Sequence, residues 1–294
     1  MNALAFGEIL WDIIEGKPYI GGAPFNLAAH LAKCGADSYM ISRVGNDELG
    51  LSALEETKSL SVNDTWVQVD NQYATGTVDV FLQDGQPTYT IYENVAYDFI
   101  DYQEFDQQQL KAAEFKIFYF GTLAQRNKKS RETLYQLLSE INFSLIFYDV
   151  NLRQQFYSRE IIENSLHYST ILKLNHEEVE ILSNLLYERE FSIEEFSRKL
   201  VTDFNQQIII TTAAEKGCMV FADGEFHTVA GKKVEVVDAV GAGDSFSAAF
   251  LYKYFQVGDP VKAAFVANQI GAFVASSRGA VPIYPDYIKE LLNN

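Results

Sequence analysis

Cysteines and basic residues are scarce in this sequence of 294 residues. Only Cys34 and Cys218 occur, far apart and without metal-ligand spacing, which excludes a disulfide framework and suits a reducing compartment. Lys and Arg number 23 against 40 Asp and Glu, giving a net charge of −17. No basic surface can therefore neutralise nucleic-acid phosphates, and we expect no nucleic-acid partner. An anionic ligand would have to be held by local donors and a metal ion.

Long apolar runs are also missing. No segment approaches the length needed to cross a bilayer, and the N-terminal residues 1–6 lack the basic segment of a signal peptide. With 48% hydrophobic residues the chain can still bury a substantial core. We expect a cytoplasmic protein that does not bind membranes and that forms a single domain over residues 1–294.

Strand and helix patterns alternate along the chain. A buried strand over 3–6 pauses at Gly7 and continues through 9–14, and a helix starts at Pro24 and stops at Gly35. This alternation predicts an α/β fold with a mainly parallel sheet. Further strands are predicted near 38–44, 117–120, 145–149, 170–174, 208–212, 217–221 and 225–229, and further helices near 47–60, 128–141, 176–187, 193–204, 243–255, 260–276 and 285–293.

The alternation is interrupted between residues 73 and 93. Two β-branched stretches, 75–82 and 87–91, flank the turn dipeptide Asp84-Gly85 and predict a β-hairpin. Strand segments near 11–14 and 19–20 could join this hairpin in a small second sheet. We expect this sheet to form a lid, made by about 12–21 and 73–97, over a cleft.

A glycine-rich turn precedes the late helix. Gly241-Ala-Gly243-Asp244 opens a stretch whose apolar residues recur every three or four positions. Unpaired N–H groups at such a helix start bind anions, and a carboxylate among them suggests a base acting while a phosphoryl group is transferred to an alcohol. No Gly-Lys-Ser/Thr follows, and the dinucleotide and nucleophile-elbow patterns both fail. A simple tight connection is the alternative.

Polar residues also follow several predicted strands, where ligands bind in open α/β sheets. The residues are Glu8 and Asp12; Asp149, Asn151 and Arg153; Lys173, Asn175, Glu177 and Glu178; Thr211 and Thr212. Each group alone could be a capped turn. His176 has Glu180 instead of a second histidine one turn later, which excludes zinc, whereas carboxylates and an amide suit Mg²⁺.

Two blocks of the chain resemble the PfkB/ribokinase family of carbohydrate kinases, and within it the fructokinases. The first is Gly7–Asp12 with Gly21–Asn26, and the second is Asp238–Phe246. Segments 75–77, 149–153 and 175–178 follow in the family order. The resemblance implies a ribokinase-like three-layer α/β/α sandwich with a small β-sheet lid.

The resemblance also implies a role for each matching residue. Asp244 would be the general base, within the anion-binding turn of Gly241, Ala242 and Gly243, and Arg153 would face the phosphate or the sugar. The sugar ligands would be Asp12, Gly21, Gly22, Asn26 and Tyr89. The nucleotide and its phosphates would meet Asn175, Thr211, Thr212, Gly217 and Asn268. Glu178 would act on Mg²⁺ through water, and backbone carbonyls of Asp238, Val240 and Ser277 would hold K⁺.

The activity implied is ATP-dependent phosphorylation of fructose to fructose 6-phosphate, by a homodimer. Ribose, a ketogluconate or a nucleoside are alternative substrates, and a catalytically silent sugar-binding regulator is an alternative of another class. Three positions depart from the family pattern: Ala214 and Ala239 replace a common glycine and threonine, and Tyr97 stands where fructokinases often carry tryptophan.

Overall fold

A computed structural model describes residues 1–83 and 86–293. Its main feature is a nine-stranded sheet in the order β13-β12-β11-β10-β9-β8-β1-β4-β5, parallel except at β12 and β13. The predicted α/β class is thereby confirmed. The strands of this sheet are β1 (Asn2–Phe6), β4 (Asp37–Gly45), β5 (Asn63–Asp70), β8 (Ile117–Gly121), β9 (Leu145–Asp149), β10 (Ile171–Asn175), β11 (Ile208–Thr212), β12 (Gly217–Ala222) and β13 (Glu225–Ala230).

A second sheet has four strands in the order β3-β2-β6-β7. The antiparallel pairs β2/β3 and β6/β7 are joined by parallel pairing of β2 with β6. Its strands are β2 (Leu10–Ile14), β3 (Lys17–Gly21), β6 (Gly76–Gln83) and β7 (Gln86–Ile91). The hairpin and the two short segments predicted beside it therefore form one sheet. The turn at Asp84-Gly85 lies outside the described residues.

Helices cover both faces of the large sheet, and alternate residues of its strands enter two cores. Ala3 and Ala5 pack with α1, α8 and α9, whereas Leu4 and Phe6 pack with α4 to α7. The helices are α1 (Ala23–Cys34), α2 (Glu48–Ser59), α3 (Gln107–Ala112), α4 (Lys128–Glu140), α5 (Arg159–Tyr168), α6 (His176–Tyr187), α7 (Ile193–Phe204), α8 (Ala242–Val257), α9 (Pro260–Ala275) and α10 (Asp286–Asn293).

The structure corrects the sequence-based prediction in two respects. Residues 2–14 are not one interrupted strand: β1 belongs to the large sheet and β2 to the small one, because the chain turns away after Gly7. Strand β5 and helices α3 and α5 have no counterpart in the prediction. Within the described residues, no helix combines the length and apolarity needed to cross a membrane.

Candidate active site

The glycine-rich turn lies at the carboxyl edge of the large sheet and begins α8. Gly241 has φ of +80°, and a Cβ there would lie 2.3 Å from the carbonyl oxygen of Ala280, so only glycine fits. The N–H of Ala242 donates to the Ala239 carbonyl at 3.3 Å. Within the described chain the N–H groups of Gly243 and of the residue after it have no backbone acceptor. They are therefore the free donors of the helix start.

The segment against which Gly241 packs is fixed by a buried histidine. His30 Nε2 lies 2.9 Å from the Ala280 carbonyl oxygen, and its Nδ1 lies 2.8 Å from the Tyr284 hydroxyl. A carbonyl only accepts, so Nε2 carries the proton and Nδ1 accepts from the tyrosine. Burial lowers the pKa of His30 to about 4 and keeps the ring neutral. This contact joins α1 to the turn of α8.

Asp244 lies in the first turn of α8 beside the start of α1. Its Oδ2 accepts a hydrogen bond of 2.8 Å from Nδ2 of Asn26, 218 positions earlier. Burial raises the pKa of Asp244 to about 6, with a further increase from Asp149 and opposing effects from Asn26, Lys173 and Arg153. The amide oxygen of Asn26 is buried without a partner in the described structure, and it is available to a ligand hydroxyl.

Behind the turn, a buried ion pair joins two neighbouring strands. Register places Lys173 of β10 directly beside Asp149 of β9, and Lys173 Nζ donates to both carboxylate oxygens at 2.9 and 2.8 Å. Ser247 of α8 donates to the same carboxylate at 3.2 Å. The coulombic effect of Asp149 and hydrogen bonding to it outweigh desolvation and raise the pKa of Lys173. The pair places Lys173 Nζ beside Gly243 at the helix start, with its charge balanced by Asp149.

A cavity of about 490 Å³ contains Asp244; we call it the polar cavity. Burial raises the pKa of Glu8 to about 7 and that of Asp12 to about 6. Gln154 ties the loop after β9 to the small sheet through a 2.8 Å hydrogen bond to the Tyr89 carbonyl. The polar cavity is lined by Glu8, Leu10, Asp12, Gly22, Ala23, Asn26, Val78, Tyr89, Ile91, Leu123, Asp149, Asn151, Leu152, Arg153, Gln154, Lys173, Ala239, Val240, Gly241, Gly243 and Asp244.

A second cavity of about 350 Å³ lies on the other side of the turn; we call it the apolar cavity. Ala239 and Gly243 line both cavities, so the start of α8 lies between them. Gly217 has φ of +99°, and a Cβ there would overlap the Val229 carbonyl at 2.1 Å. Lining residues of the apolar cavity include Asn175, Thr212, Ala214, Gly217, Val234, Val236, Ala242, Phe246, Asn268 and Ala272.

Glu178 and Asn175 form a capping box at the start of α6. Glu178 Oε2 accepts from the Asn175 N–H at 2.7 Å, and its Oε1 accepts from the Leu152 N–H at 2.8 Å. Both carboxylate oxygens are therefore occupied by backbone donors. In the part of the chain that the structure describes, no three His, Cys, Asp or Glu side chains gather as a metal cluster. This arrangement fits Mg²⁺ held mainly by substrate phosphates and water.

The Asp238 side chain joins two loops near the helix start. It accepts from the Val240 N–H at 3.0 Å and from the Gly279 N–H at 3.2 Å. Segments 238–240 and 277–280 thus lie side by side, each with backbone carbonyls.

The structure gathers most of the predicted site residues around the two cavities. Five line neither one: Gly21, Glu178, Thr211, Asp238 and Ser277. Gly21 lies behind Asp12, whose Oδ2 would be 2.7 Å from a Cβ at that position. Thr211 is buried within β11, and the Ser277 hydroxyl donates to the Phe273 carbonyl at 2.8 Å.

The two cavities and the helix start between them indicate a class of protein. An apolar cavity and a polar cavity on either side of an anion-binding turn are the arrangement expected of a phosphotransferase site on an α/β fold. The sequence model described as pfkB family carbohydrate kinase matches residues 6–286. The chain therefore belongs to the PfkB family and is a carbohydrate kinase by family.

Relatives match over nearly the whole chain. The uncharacterized sugar kinase PH1459 of Pyrococcus horikoshii is 30% identical over 296 residues, covering 94% of this chain and 90% of that relative. Fructokinase-1 of Oryza sativa subsp. japonica is 26% identical over 319 residues, covering 98% of this chain and 96% of that relative.

Solved structures confirm the ribokinase-like fold. PH1459 in complex with ATP matches with a TM-score of 0.83 at 28% identity, covering 96% of this chain and 94% of that chain. The fructokinase of Vibrio cholerae O395 with fructose, ADP and calcium bound matches with a TM-score of 0.82 at 23% identity, covering 99% and 98%. The second match supports the fold alone.

Proposed function

We propose that this protein is an ATP-dependent fructokinase that transfers the γ-phosphate of ATP to a hydroxyl of fructose, giving fructose 6-phosphate. The observation that carries the proposal is the position of Asp244. It lies in the polar cavity, hydrogen-bonded to Asn26, beside free N–H donors of a helix start that also borders the apolar cavity. Relatives named fructokinase support the choice of sugar.

Asp244 is suited to act as the general base. Its pKa of about 6 leaves it ionised at neutral pH yet more basic than an exposed aspartate. It would accept the proton of the sugar hydroxyl as that oxygen attacks phosphorus. The free N–H groups of Gly243 and Asp244 would stabilise negative charge on the transferring group, while Asn26 orients the carboxylate.

The apolar cavity would hold the nucleotide. Asn175, Thr212, Gly217 and Asn268 lie around it, and Thr211 supports it from within β11. ATP bound there would supply the phosphoryl group, and Mg²⁺ would neutralise part of its charge. Glu178 would reach the ion through water, since its oxygens already accept backbone N–H groups. The loops joined by the Asp238 carboxylate would hold K⁺ through their carbonyls.

The small sheet would act as a lid over the sugar, as part of a single domain spanning the chain. Asp12 and Tyr89 come from its strands and line the polar cavity. Gly22 and Asn26 begin α1 directly after β3, and Arg153 contributes from the loop that Gln154 ties to β7. Closure would exclude water that competes for the phosphoryl group.

The assembly and location of the enzyme are also proposed. Tyr19 and Phe81 of the small sheet are each more than half exposed. A second copy packed against this sheet would make a homodimer. Cys34 and Cys218 are free and buried, which suits a cytoplasmic enzyme.

A sugar panel with coupled ADP detection tests the function. Fructose should give the highest kcat/KM, against ribose, a ketogluconate and a nucleoside. Asp244→Asn should abolish turnover while nucleotide binding is retained, and Asp286→Asn, whose side chain is 93% exposed, is the matched control. Turnover by Asp244→Asn would refute the base assignment. Sugar binding in calorimetry without ADP from any sugar would favour the regulator.

A further inference from the structure

Glu8 is a buried carboxyl group in the polar cavity that the mechanism above does not use. It follows β1 after Gly7, where φ is +146° and a Cβ would lie 2.5 Å from Cγ of Pro24. The close approach of Gly7 and Pro24 fixes the chain at this point against the start of α1. Glu8 is only 4% exposed, yet it lines the same cavity as Asp244.

The neighbouring glycine of α1 leaves space for this side chain. Gly22 has φ of +106°, and a Cβ there would lie 2.5 Å from the Glu8 carbonyl oxygen and 3.2 Å from its Cγ. Any larger residue at 22 would displace Glu8. A glycine at this position therefore both caps the helix and leaves room for the Glu8 side chain.

The Glu8 carboxyl has no partner on another side chain within residues 1–83 and 86–293, by hydrogen bond or by ion pair. One nearby cation is already engaged: Arg126 pairs with Asp98 at 2.7 Å, lies over two aromatic rings and is not part of the cavity lining. Arg153, whose Nη1 donates to the Leu152 carbonyl at 3.3 Å, is left as the cation facing the cavity.

Four carboxyl groups line the polar cavity, those of Glu8, Asp12, Asp149 and Asp244, and in the described part of the chain Arg153 is the lining cation without an ion pair. Lys173 is neutralised by its ion pair with Asp149. A sugar that itself carries a carboxylate would meet Asp12 and Asp244, and also Glu8 once Glu8 is ionised, and the resulting repulsion would not be offset by one cation. Neutral sugars avoid this cost and offer hydroxyl groups to each carboxyl.

We propose that Glu8 is a further substrate-binding residue, which donates a hydrogen bond from its carboxyl group to a sugar hydroxyl and selects neutral sugars over sugar acids. The inference rests on the proposed sugar-kinase function and adds a residue to it. Glu8 acts as a donor only when protonated. The charged groups that influence it are Arg153, Arg126 and Asp244, and burial is the main cause that raises its pKa to about 7.

The test compares Glu8→Gln and Glu8→Ala with the exposed control Glu190→Gln. Glu8→Ala should raise KM for fructose about tenfold, through loss of a buried hydrogen bond, while KM for ATP is unchanged. Glu8→Gln keeps a donor and should stay within about threefold of the wild type. Above about pH 7, where the wild-type carboxyl is ionised, Glu8→Gln should also lower KM for a ketogluconate, because one negative charge is removed.

The pH dependence separates binding from support of the fold. In the wild type, KM for fructose should rise above about pH 7 as Glu8 loses its proton, whereas in Glu8→Gln it should stay flat. If Glu8→Ala does not fold, the comparison of the pH profiles of the wild type and Glu8→Gln still tests the inference. An unchanged KM for fructose in Glu8→Ala, or equal pH profiles, would overturn the inference. If the wild type phosphorylates no neutral sugar, the proposed function itself has failed.

Discussion

Replacing the proposed base should stabilise the protein while it abolishes catalysis. The Asp244 carboxyl has a pKa of about 6 in the folded protein, against 3.8 as the ordinary value. The folded state therefore keeps a proton that the unfolded chain gives up, and the wild type loses stability as pH rises from about 4 to about 6. In Asp244→Asn the new amide does not titrate, and it keeps an oxygen that accepts from Asn26.

The magnitude follows from the pKa difference. A difference of about two units corresponds to about 3 kcal/mol above pH 6. Asp244→Asn should approach this gain near pH 8 and reach about half of it near pH 5. One side of the carboxyl faces the cavity, and water there screens the charge, so the value is an upper limit.

Urea unfolding followed by the fluorescence of Trp11 and Trp66 measures the difference. The variant should have the higher midpoint, and its advantage should grow with pH, while Asp286→Asn should match the wild type at both pH values. Equal stability of Asp244→Asn and wild type near pH 8 would refute the view that burial raises this pKa. A gain that does not depend on pH would point to packing instead.

Three further perturbations test the surroundings of this base. Gly241→Ala should lower turnover and reduce the stability by more than about 2 kcal/mol, because its Cβ would overlap the Ala280 carbonyl. Gly258→Ala, with open space around it, should cost about 1 kcal/mol, and thermal unfolding measures both differences. Asn26→Ala removes a hydrogen bond that lowers the pKa of the base, so the acid limb of the kcat/KM profile should move to higher pH. Lys173→Met leaves a buried carboxylate unpaired and should destabilise the fold by about 3–5 kcal/mol in urea titrations; unchanged midpoints would contradict the ion pair.

The architecture was largely predictable because it depends on local signals. The helix from Pro24 to Gly35 and the strand after it follow from capping and apolar runs. Strand β5 was not predicted because it is an edge strand in which Trp66 is buried among polar neighbours. Helix α5 was not predicted either, because it has few apolar residues, although Ser158 caps its N-terminus.

The site was predictable only in part. The contact between Asn26 and Asp244 joins two motifs that are 218 positions apart. Resemblance to the family predicts that these motifs share a site, but local sequence patterns do not predict contacts at this separation. The sequence places Lys173 and Asp149 at strand ends but does not show that they pair, since pairing depends on the register of neighbouring strands. Glu8 likewise reaches the cavity because the chain leaves the large sheet after Gly7 and enters the small sheet.

The first hairpin of the small sheet begins at Leu10, two residues after Glu8, and ends at Gly21, directly before Gly22. Two residues of the polar cavity thus lie at the points where this sheet is attached, and strand β6 joins it from a distant part of the sequence. Grafting the specificity of another family member onto this scaffold therefore requires two segments, about 8–26 and 76–91, to be exchanged together. Exchanging one segment alone would pair strand β2 of one protein with strand β6 of the other, and the lining of the polar cavity would change.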